Sequence, residues 1–133
     1  MRKPVIGLLP FYLELYDQAM PQIRGRINSF VTTISNELEK KGLAVICSDV
    51  CRIKPEFEKA VKDFESRQVD AIVTLYLAYS PSLESYEALI KTDLPLIILN
   101  TTPTYVFDNN TSPDEIMYNH GIHGVQDLCN LLK

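Results

Sequence analysis

The sequence has no glycine-rich phosphate-binding loop. Its five glycines form neither a GxGxxG nor a GxxxxGKS/T pattern. A dinucleotide-binding turn needs a glycine directly after the first strand. Gly7 instead lies inside the first apolar run. These absences exclude the common dinucleotide-binding and nucleotide-hydrolysing classes. Ser80 also lacks the context of a nucleophile elbow, so a serine hydrolase is not indicated.

Long apolar runs and a basic surface are missing as well. No run approaches the ~20 apolar residues that span a bilayer. The net charge of -4 argues against nucleic acid as the main partner, because phosphate binding requires a basic face. Three cysteines cannot all pair with one another, and no signal peptide follows Met1. We therefore expect a single soluble domain in the reducing cytoplasm.

Short apolar runs alternate with amphipathic helices along the chain. The runs are Pro4–Leu9, Leu43–Cys47, Ala71–Leu75 and Leu94–Leu99. Continuously apolar runs of this length are typical of parallel strands covered on both faces. The helices between them are predicted to begin at Pro21, at Pro55 and near Ser82. Such βα units predict an α/β fold, a doubly wound parallel sheet in a flavodoxin-like or Rossmann-like three-layer sandwich.

Polar and aromatic residues follow the predicted strands, at the edge where open α/β sheets bind ligands. The strand ends are Pro10-Phe11-Tyr12, Cys51-Arg52, Tyr79-Ser80-Pro81 and Asn100-Thr101-Thr102. Hydroxyls, amides and aromatic faces suit a polyhydroxylated ligand, although turns are rich in such residues in any case. The carboxylates of Glu14, Asp17 and Glu84 are expected to be solvated charges. The long loop from Thr101 to Pro113 is of a kind that is often functional.

Both histidines lie in one segment, Met117–Asp127. Gly121 and Gly124 stand beside them, and we expect this helix start to leave backbone N–H groups uncovered for an oxygen-rich ligand. His120 and His123 are three apart and would share a helix face. As a metal pair they lack further ligands, so we expect them to form hydrogen bonds with a substrate.

The cysteines lack zinc-site spacing. Cys47 and Cys51 are four residues apart, and no second pair accompanies them. Cys129 lies in an apolar helix end. We expect all three to pack in the interior, with no metal held by this chain alone.

Several segments together resemble a known family. They are Val5-Ile6-Gly7, Leu15-Tyr16-Asp17, Val50-Cys51-Arg52, Leu77-Ala78-Tyr79-Ser80-Pro81-Ser82 and above all Asn119-His120-Gly121-Ile122-His123-Gly124-Val125-Gln126-Asp127. On these segments the chain resembles the N-terminal domain of the L-fucose/L-arabinose isomerase family, especially its L-fucose isomerase-related branch. The resemblance implies that residues 1–133 form a single N-terminal α/β domain, without the later metal-binding domains.

The resemblance also implies a function. Members of that family are cytosolic aldose–ketose isomerases that assemble into trimers or hexamers. A divalent metal, usually Mn²⁺, is held in their later domains and polarises the open-chain sugar. This chain would then supply a substrate wall and an oligomerisation surface, and it would be inactive alone. The matching positions imply sugar contacts, shared with an adjacent subunit, for Tyr12, Tyr79, His120 (where the family often has glutamine) and His123.

A different class of function uses the same sheet edge. A stand-alone, non-catalytic module could bind a small polyol or a protein there, and a structural oligomerisation domain with a decayed site is a third possibility. Near the end of the chain, an apolar helix face is expected to need a partner surface; its residues are Val125, Leu128, Leu131 and Leu132. A stand-alone module should cover this face itself, whereas a domain of a larger assembly should expose it.

Overall fold

Within residues 2–133, which the computed structural model describes, four parallel strands form one central sheet. The strands are β1 (Val5–Phe11), β2 (Ala44–Cys47), β3 (Ala71–Tyr76) and β4 (Leu96–Leu99), in the order β2-β1-β3-β4. Leu8 of β1 is in register with Cys47 on one side and with Val73 on the other. The predicted class, a doubly wound parallel sheet of the flavodoxin-like or Rossmann-like kind, is confirmed.

Six α-helices lie in the same range, on both faces of the sheet. They are α1 (Glu14–Ala19), α2 (Arg24–Lys40), α3 (Lys54–Ser66), α4 (Ser82–Ile90), α5 (Ile116–Asn119) and α6 (Ile122–Leu131). Short 3-10 turns precede α2 and α5, at Pro21–Ile23 and Pro113–Glu115. In the described part of the chain, no helix has both the length and the apolar character that crossing a membrane requires.

Each face of the sheet is covered by its own apolar cluster. Successive strand residues point to opposite faces. Phe11 of β1 therefore joins Phe57 and Phe64 of α3 on one face, whereas Leu8 joins Ile27 of α2 on the other. Because both faces of the central strands β1 and β3 are buried, these strands are continuously apolar in sequence instead of alternating.

Several element boundaries differ from the predictions, among them the starts of β4 and of the long helix. β4 begins at Leu96 instead of Leu94. Pro95 has no N–H to donate to a neighbouring strand, although its carbonyl accepts a hydrogen bond from the N–H of Ile72 at 2.9 Å. The long helix also does not start directly at Pro21, because a 3-10 turn comes before α2.

Gly121 and Gly124 allow α6 to lie directly on the carboxyl end of β3. A Cβ atom at Gly124 would lie 2.8 Å from Cδ1 of Tyr76 and 3.0 Å from the carbonyl oxygen of Ser80. A Cβ atom at Gly121 would lie 2.8 Å from Cβ of Tyr76. Both glycines are buried, so the expectation that they leave this helix start uncovered is wrong. The histidine segment nevertheless reaches the carboxyl edge of the sheet, as expected.

The apolar face of α6 is covered within the described chain. Val125 and Leu128 are buried and belong to the cluster that contains Phe11, and Leu132 packs against that cluster. The expectation that this face needs a partner surface is therefore wrong for Val125 and Leu128. The sequence pattern correctly indicated an apolar face, but α4 and the sheet provide its cover.

Replacing Gly124 with alanine should destabilise the fold, whereas Gly25→Ala should not. The new methyl group at position 124 would overlap the Tyr76 ring, and overpacking of this kind costs about 1–3 kcal/mol. Gly25 also lies in a helix, α2, but a Cβ atom there meets nothing within 4 Å. Alanine at that position should raise the free energy of unfolding by up to about 1 kcal/mol. Urea denaturation followed by circular dichroism measures both changes, and an unaltered stability of Gly124→Ala would contradict the packing role.

Candidate functional site

Three side chains from separate segments meet at the carboxyl edge of the sheet. Tyr16 lies on α1, after β1; Tyr79 lies after β3; and His120 lies between α5 and α6. We term these three residues the histidine cluster. Tyr79 and His120 are both site residues predicted from the sequence, and the structure brings them together. Tyr16 was not among the predicted residues.

The imidazole of His120 is held on both its nitrogen atoms. Its Nδ1 lies 2.7 Å from the carbonyl oxygen of Ile116, and its Nε2 lies 3.2 Å from the hydroxyl of Tyr16. A carbonyl oxygen can only accept, so Nδ1 carries a proton and donates it to Ile116. In the neutral ring Nε2 then accepts from the Tyr16 hydroxyl, which fixes one tautomer.

Aromatic rings flank the imidazole of His120. The Tyr79 ring is stacked with it, at 6.4 Å between centroids and 9° between planes. The Tyr16 ring is tilted by 56°, with its centroid at 6.1 Å. Burial raises the pKa of the Tyr16 hydroxyl, so this group remains a hydrogen-bond donor at neutral pH. The histidine cluster therefore combines ring faces with oriented hydrogen-bonding groups.

Ion pairs fix the position of Tyr16. Helix α1 spans only six residues, and none of them is buried, so apolar packing alone does not hold it. The carboxylate of Asp17 contacts Arg24 and accepts a hydrogen bond from Nη1 of Arg52 at 3.0 Å. Arg52 also donates from Nη2 to Glu56 at 2.6 Å. We term these four charged residues the arginine clamp.

The arginine clamp favours the ionised carboxylates. Burial alone would raise the pKa of Asp17, but hydrogen bonds from Arg24 and Arg52 outweigh this and lower it. Burial also acts to raise the pKa of Glu56, and the side chain and backbone N–H of Arg52 lower it. Asp17 was expected to be a solvated charge; its side chain is only 18% exposed. That expectation is therefore wrong.

Tyr12 lies beneath the histidine cluster. Its side chain is fully buried, and its ring meets that of Tyr16 edge-on, at 5.9 Å between centroids. The guanidinium carbon of Arg24 stands 5.1 Å from the Tyr12 ring centroid. Burial raises the pKa of Tyr12 to about 12, and its hydroxyl has no hydrogen-bond partner among residues 2–133. Tyr12 thus supports Tyr16 from below, and a sugar contact for Tyr12 stays a prediction.

His123 is placed differently from His120. It lies in the first turn of α6 and is exposed to solvent, whereas its neighbour Gly124 is buried. The hydrogen bonds and the ring stacking that hold His120 do not involve His123. A role for His123 in binding a substrate stays a prediction.

Sequence reasoning missed Tyr16 and the arginine clamp. Tyr16 and Asp17 were visible in an aromatic and acidic loop after the first strand, and Arg52 at the end of the second. An acidic and a basic residue at neighbouring strand ends are a signal that could have suggested their pairing. Glu84 was likewise expected to be solvated, yet it accepts a hydrogen bond from the backbone N–H of Lys54 at 2.8 Å.

Residues 2–133 contain no group of three or more His, Cys, Asp or Glu side chains placed to hold a metal ion. All three cysteines are free; Cys51 is buried, Cys129 is half-buried and Cys47 is exposed. The packing role expected for Cys47 is therefore wrong. A Cys47–Cys51 disulfide does not fit either. These residues are in register with Leu8 and Phe11 of β1, roughly 10 Å apart along a strand, whereas disulfides need Cα atoms within about 7 Å.

Replacing Arg52 with methionine should flatten the acid side of the stability–pH curve. In the folded state the pKa values of Asp17 and Glu56 lie below their ordinary values of about 4. The unfolded state therefore binds more protons in acid, so their stabilisation is present above about pH 4 and is lost as the pH falls through the lowered values. Without Arg52 both pKa values should rise toward normal, and the protein should lose roughly 1–3 kcal/mol at pH 7.

Urea unfolding between pH 7 and pH 3 measures this effect. The control is Lys40→Met, which removes an exposed ion pair with Glu37 and should change the free energy of unfolding by less than about 1 kcal/mol. Parallel pH profiles for wild type and Arg52→Met would show that the arginine clamp does not stabilise the fold.

Comparing the sequence with protein-family models and with curated proteins identified no relative of this chain. No protein-family model matches the chain, and no curated protein is significantly similar to it in sequence. The histidine cluster and the arginine clamp are therefore the features of the chain that bear on function.

Proposed function

We propose that this domain forms one wall of the sugar-binding pocket of an aldose–ketose isomerase of the L-fucose/L-arabinose type. An adjacent subunit would supply the rest of the pocket, in a homo-oligomer such as a trimer or hexamer. The observation that carries this proposal is the histidine cluster, in which His120 is held between Tyr16 and Tyr79 at the carboxyl edge of the sheet. The resemblance of the histidine segment to that family supports the choice of ligand.

The chemistry of the histidine cluster suits a sugar. Aromatic faces such as that of Tyr79 can cover the C–H face of a sugar ring, while hydroxyl and imidazole groups exchange hydrogen bonds with its hydroxyls. Tyr16 and His120 already hydrogen bond to each other, so they are oriented before a ligand binds. Pre-organised groups lose less entropy on binding. These are properties of a binding wall and do not by themselves supply catalysis.

A divalent metal such as Mn²⁺, which in this family polarises the sugar carbonyl, would have to be held by other residues of the assembly. The described chain offers no cluster of metal ligands, and the histidine cluster contains a single imidazole and no carboxylate. From the resemblance to that family, we propose that this domain holds and orients the sugar and is inactive alone. We also propose a cytoplasmic location, which the three free thiols support.

A second function, a stand-alone and non-catalytic polyol-binding module, is favoured by one observation. Val125 and Leu128 are covered inside the domain, as such a module requires. The two proposals differ in expected affinity. A single wall should bind a sugar with a Kd on the order of 1 mM or weaker, whereas a complete site should bind one considerably more tightly.

Saturation-transfer NMR with L-fucose and L-arabinose tests the proposal on the 133-residue chain. We expect transfer from protein to sugar, with weak affinity, and a loss of at least 10-fold in binding for His120→Ala and Tyr79→Ala. The matched control is Gln126→Ala, an exposed residue of α6, which should bind like wild type. Absence of transfer to either sugar, or equal binding by His120→Ala, would refute a sugar wall at the histidine cluster. Tight binding would support the stand-alone module.

A further inference from the structure

The backbone carbonyl that orients His120 belongs to a very short helix. The Ile116 oxygen lies 2.7 Å from Nδ1 of His120 and accepts its hydrogen bond. Ile116 begins α5, which spans four residues, none of them buried. A helix of this length is not stable by itself in water, because its nucleation is unfavourable. Contacts with other segments must therefore hold the Ile116 carbonyl in place.

Arg26 of α2 makes such contacts on both sides of Ile116. Its Nη1 and Nη2 atoms each lie 2.6 Å from one carboxylate oxygen of Glu115. Its guanidinium carbon lies 3.8 Å from the centroid of the Tyr118 ring, which also packs against the apolar cluster that contains Leu8. Two parallel hydrogen bonds between a guanidinium and a carboxylate fix the orientation of both groups. Arg26 thus holds the residue before Ile116 and a residue two positions after it.

Two further side chains complete this attachment of α5. The Thr104 hydroxyl donates to Oε2 of Glu115 at 2.7 Å, and Nδ2 of Asn119 donates to the Glu115 carbonyl at 2.7 Å. The N–H of Thr104 donates to Oδ1 of Asn119 at 3.0 Å. We term Arg26, Glu115, Thr104 and Asn119 the α5 latch. Hydrogen bonds from Arg26 and Thr104 lower the pKa of Glu115 to about 2, so its carboxylate is ionised at neutral pH.

The tautomer of His120 determines which group the histidine cluster offers to a ligand. With Nδ1 protonated, Nε2 accepts from the Tyr16 hydroxyl, and the Tyr16 oxygen keeps a lone pair that can accept from a ligand. In the other tautomer Nε2 would donate to Tyr16, whose own proton would then be free for the ligand. The two tautomers therefore present an acceptor and a donor, respectively, at the same place.

We propose that Arg26 is a positioning residue that sets the hydrogen-bond polarity of the histidine cluster. It acts through the α5 latch, which holds the Ile116 carbonyl and so keeps the proton of His120 on Nδ1. The close approach of α6 to β3 fixes where the backbone of His120 lies, whereas the latch fixes which nitrogen carries the proton. The cluster then selects a ligand that donates a hydroxyl proton to Tyr16. That choice of ligand group rests on the proposed function, but the control of the tautomer does not.

Long-range proton–nitrogen NMR correlation of the two imidazole rings tests the proposal without any ligand. At about pH 8, where an ordinary imidazole is neutral, we expect wild-type His120 to be protonated on Nδ1. Arg26→Met should raise the ratio of the Nε2–H form to the Nδ1–H form about 5-fold or more, the order of effect of losing one hydrogen bond. Arg26→Lys, which keeps the charge but not the planar fork, should give an intermediate ratio.

Two controls separate this effect from a general disturbance of the fold. The ring of His123 takes no part in the bonds that hold His120, so its tautomer should not change in any variant. Arg67→Met removes a different arginine from an ion pair, with Asp63, and should leave the His120 ratio as in wild type. A wild-type ring protonated on Nε2, an unchanged ratio in folded Arg26→Met or Arg26→Lys, or an equal change in Arg67→Met would overturn the proposal.

A double-variant cycle tests whether Arg26 acts through Glu115. Glu115→Met keeps the length of the side chain but removes both acceptor oxygens. We expect Glu115→Met and Arg26→Met to raise the tautomer ratio to a similar extent, and the double variant to raise it no further. Additive effects would show that Arg26 acts by another route and would contradict the α5 latch. Because the ratio is measured without sugar, failure of the latch and failure of sugar binding are separate results.

Discussion

The ion pairs of Asp17 with Arg24 and Arg52 add to the limited packing that Tyr16 of α1 makes against the core. Helix α1 has no buried residue, yet it carries Tyr16, whose hydroxyl reaches Nε2 of His120. The arginine clamp joins four segments: α1, the start of α2, the loop after β2 and the start of α3. Partly buried charges that lose a partner are costly, so the position of α1 is strongly specified although few apolar contacts define it.

The other side of the histidine cluster is fixed by packing. Gly121 and Gly124 bring α6 into contact with Tyr76 and with the backbone that follows β3. His120 precedes this helix, and Tyr79 follows the same strand, so their stacking results from the close approach of α6 to β3. One side of the cluster thus depends on ion pairs that acid weakens, whereas the other depends on an apolar contact that is insensitive to pH.

Much of the fold could be predicted from the sequence, because the strands are continuous apolar runs and the order of βα units restricts the topology. The site was only partly predictable. Asp17 and Arg52 are far apart in sequence, and their pairing depends on which strand ends become neighbours. From the sequence, Gly121 and Gly124 could indicate either an exposed backbone or close packing. The structure shows close packing, because Tyr76 lies directly against both glycines. The burial of Tyr12 was likewise decided by neighbours in space, because Tyr12 packs in the cluster that contains Leu8 and Ile27.

Ring–ring nuclear Overhauser effects in Asp17→Ala test the central claim most directly. Alanine is the best helix former, so this substitution removes the ion pairs without weakening the intrinsic helix tendency of α1. We expect the cross-peak between the Tyr16 and His120 rings to disappear, while that between Tyr79 and His120 remains. Gln18→Ala, an exposed position of the same helix, should retain both cross-peaks. An undiminished Tyr16–His120 cross-peak in Asp17→Ala would show that the arginine clamp does not position the site.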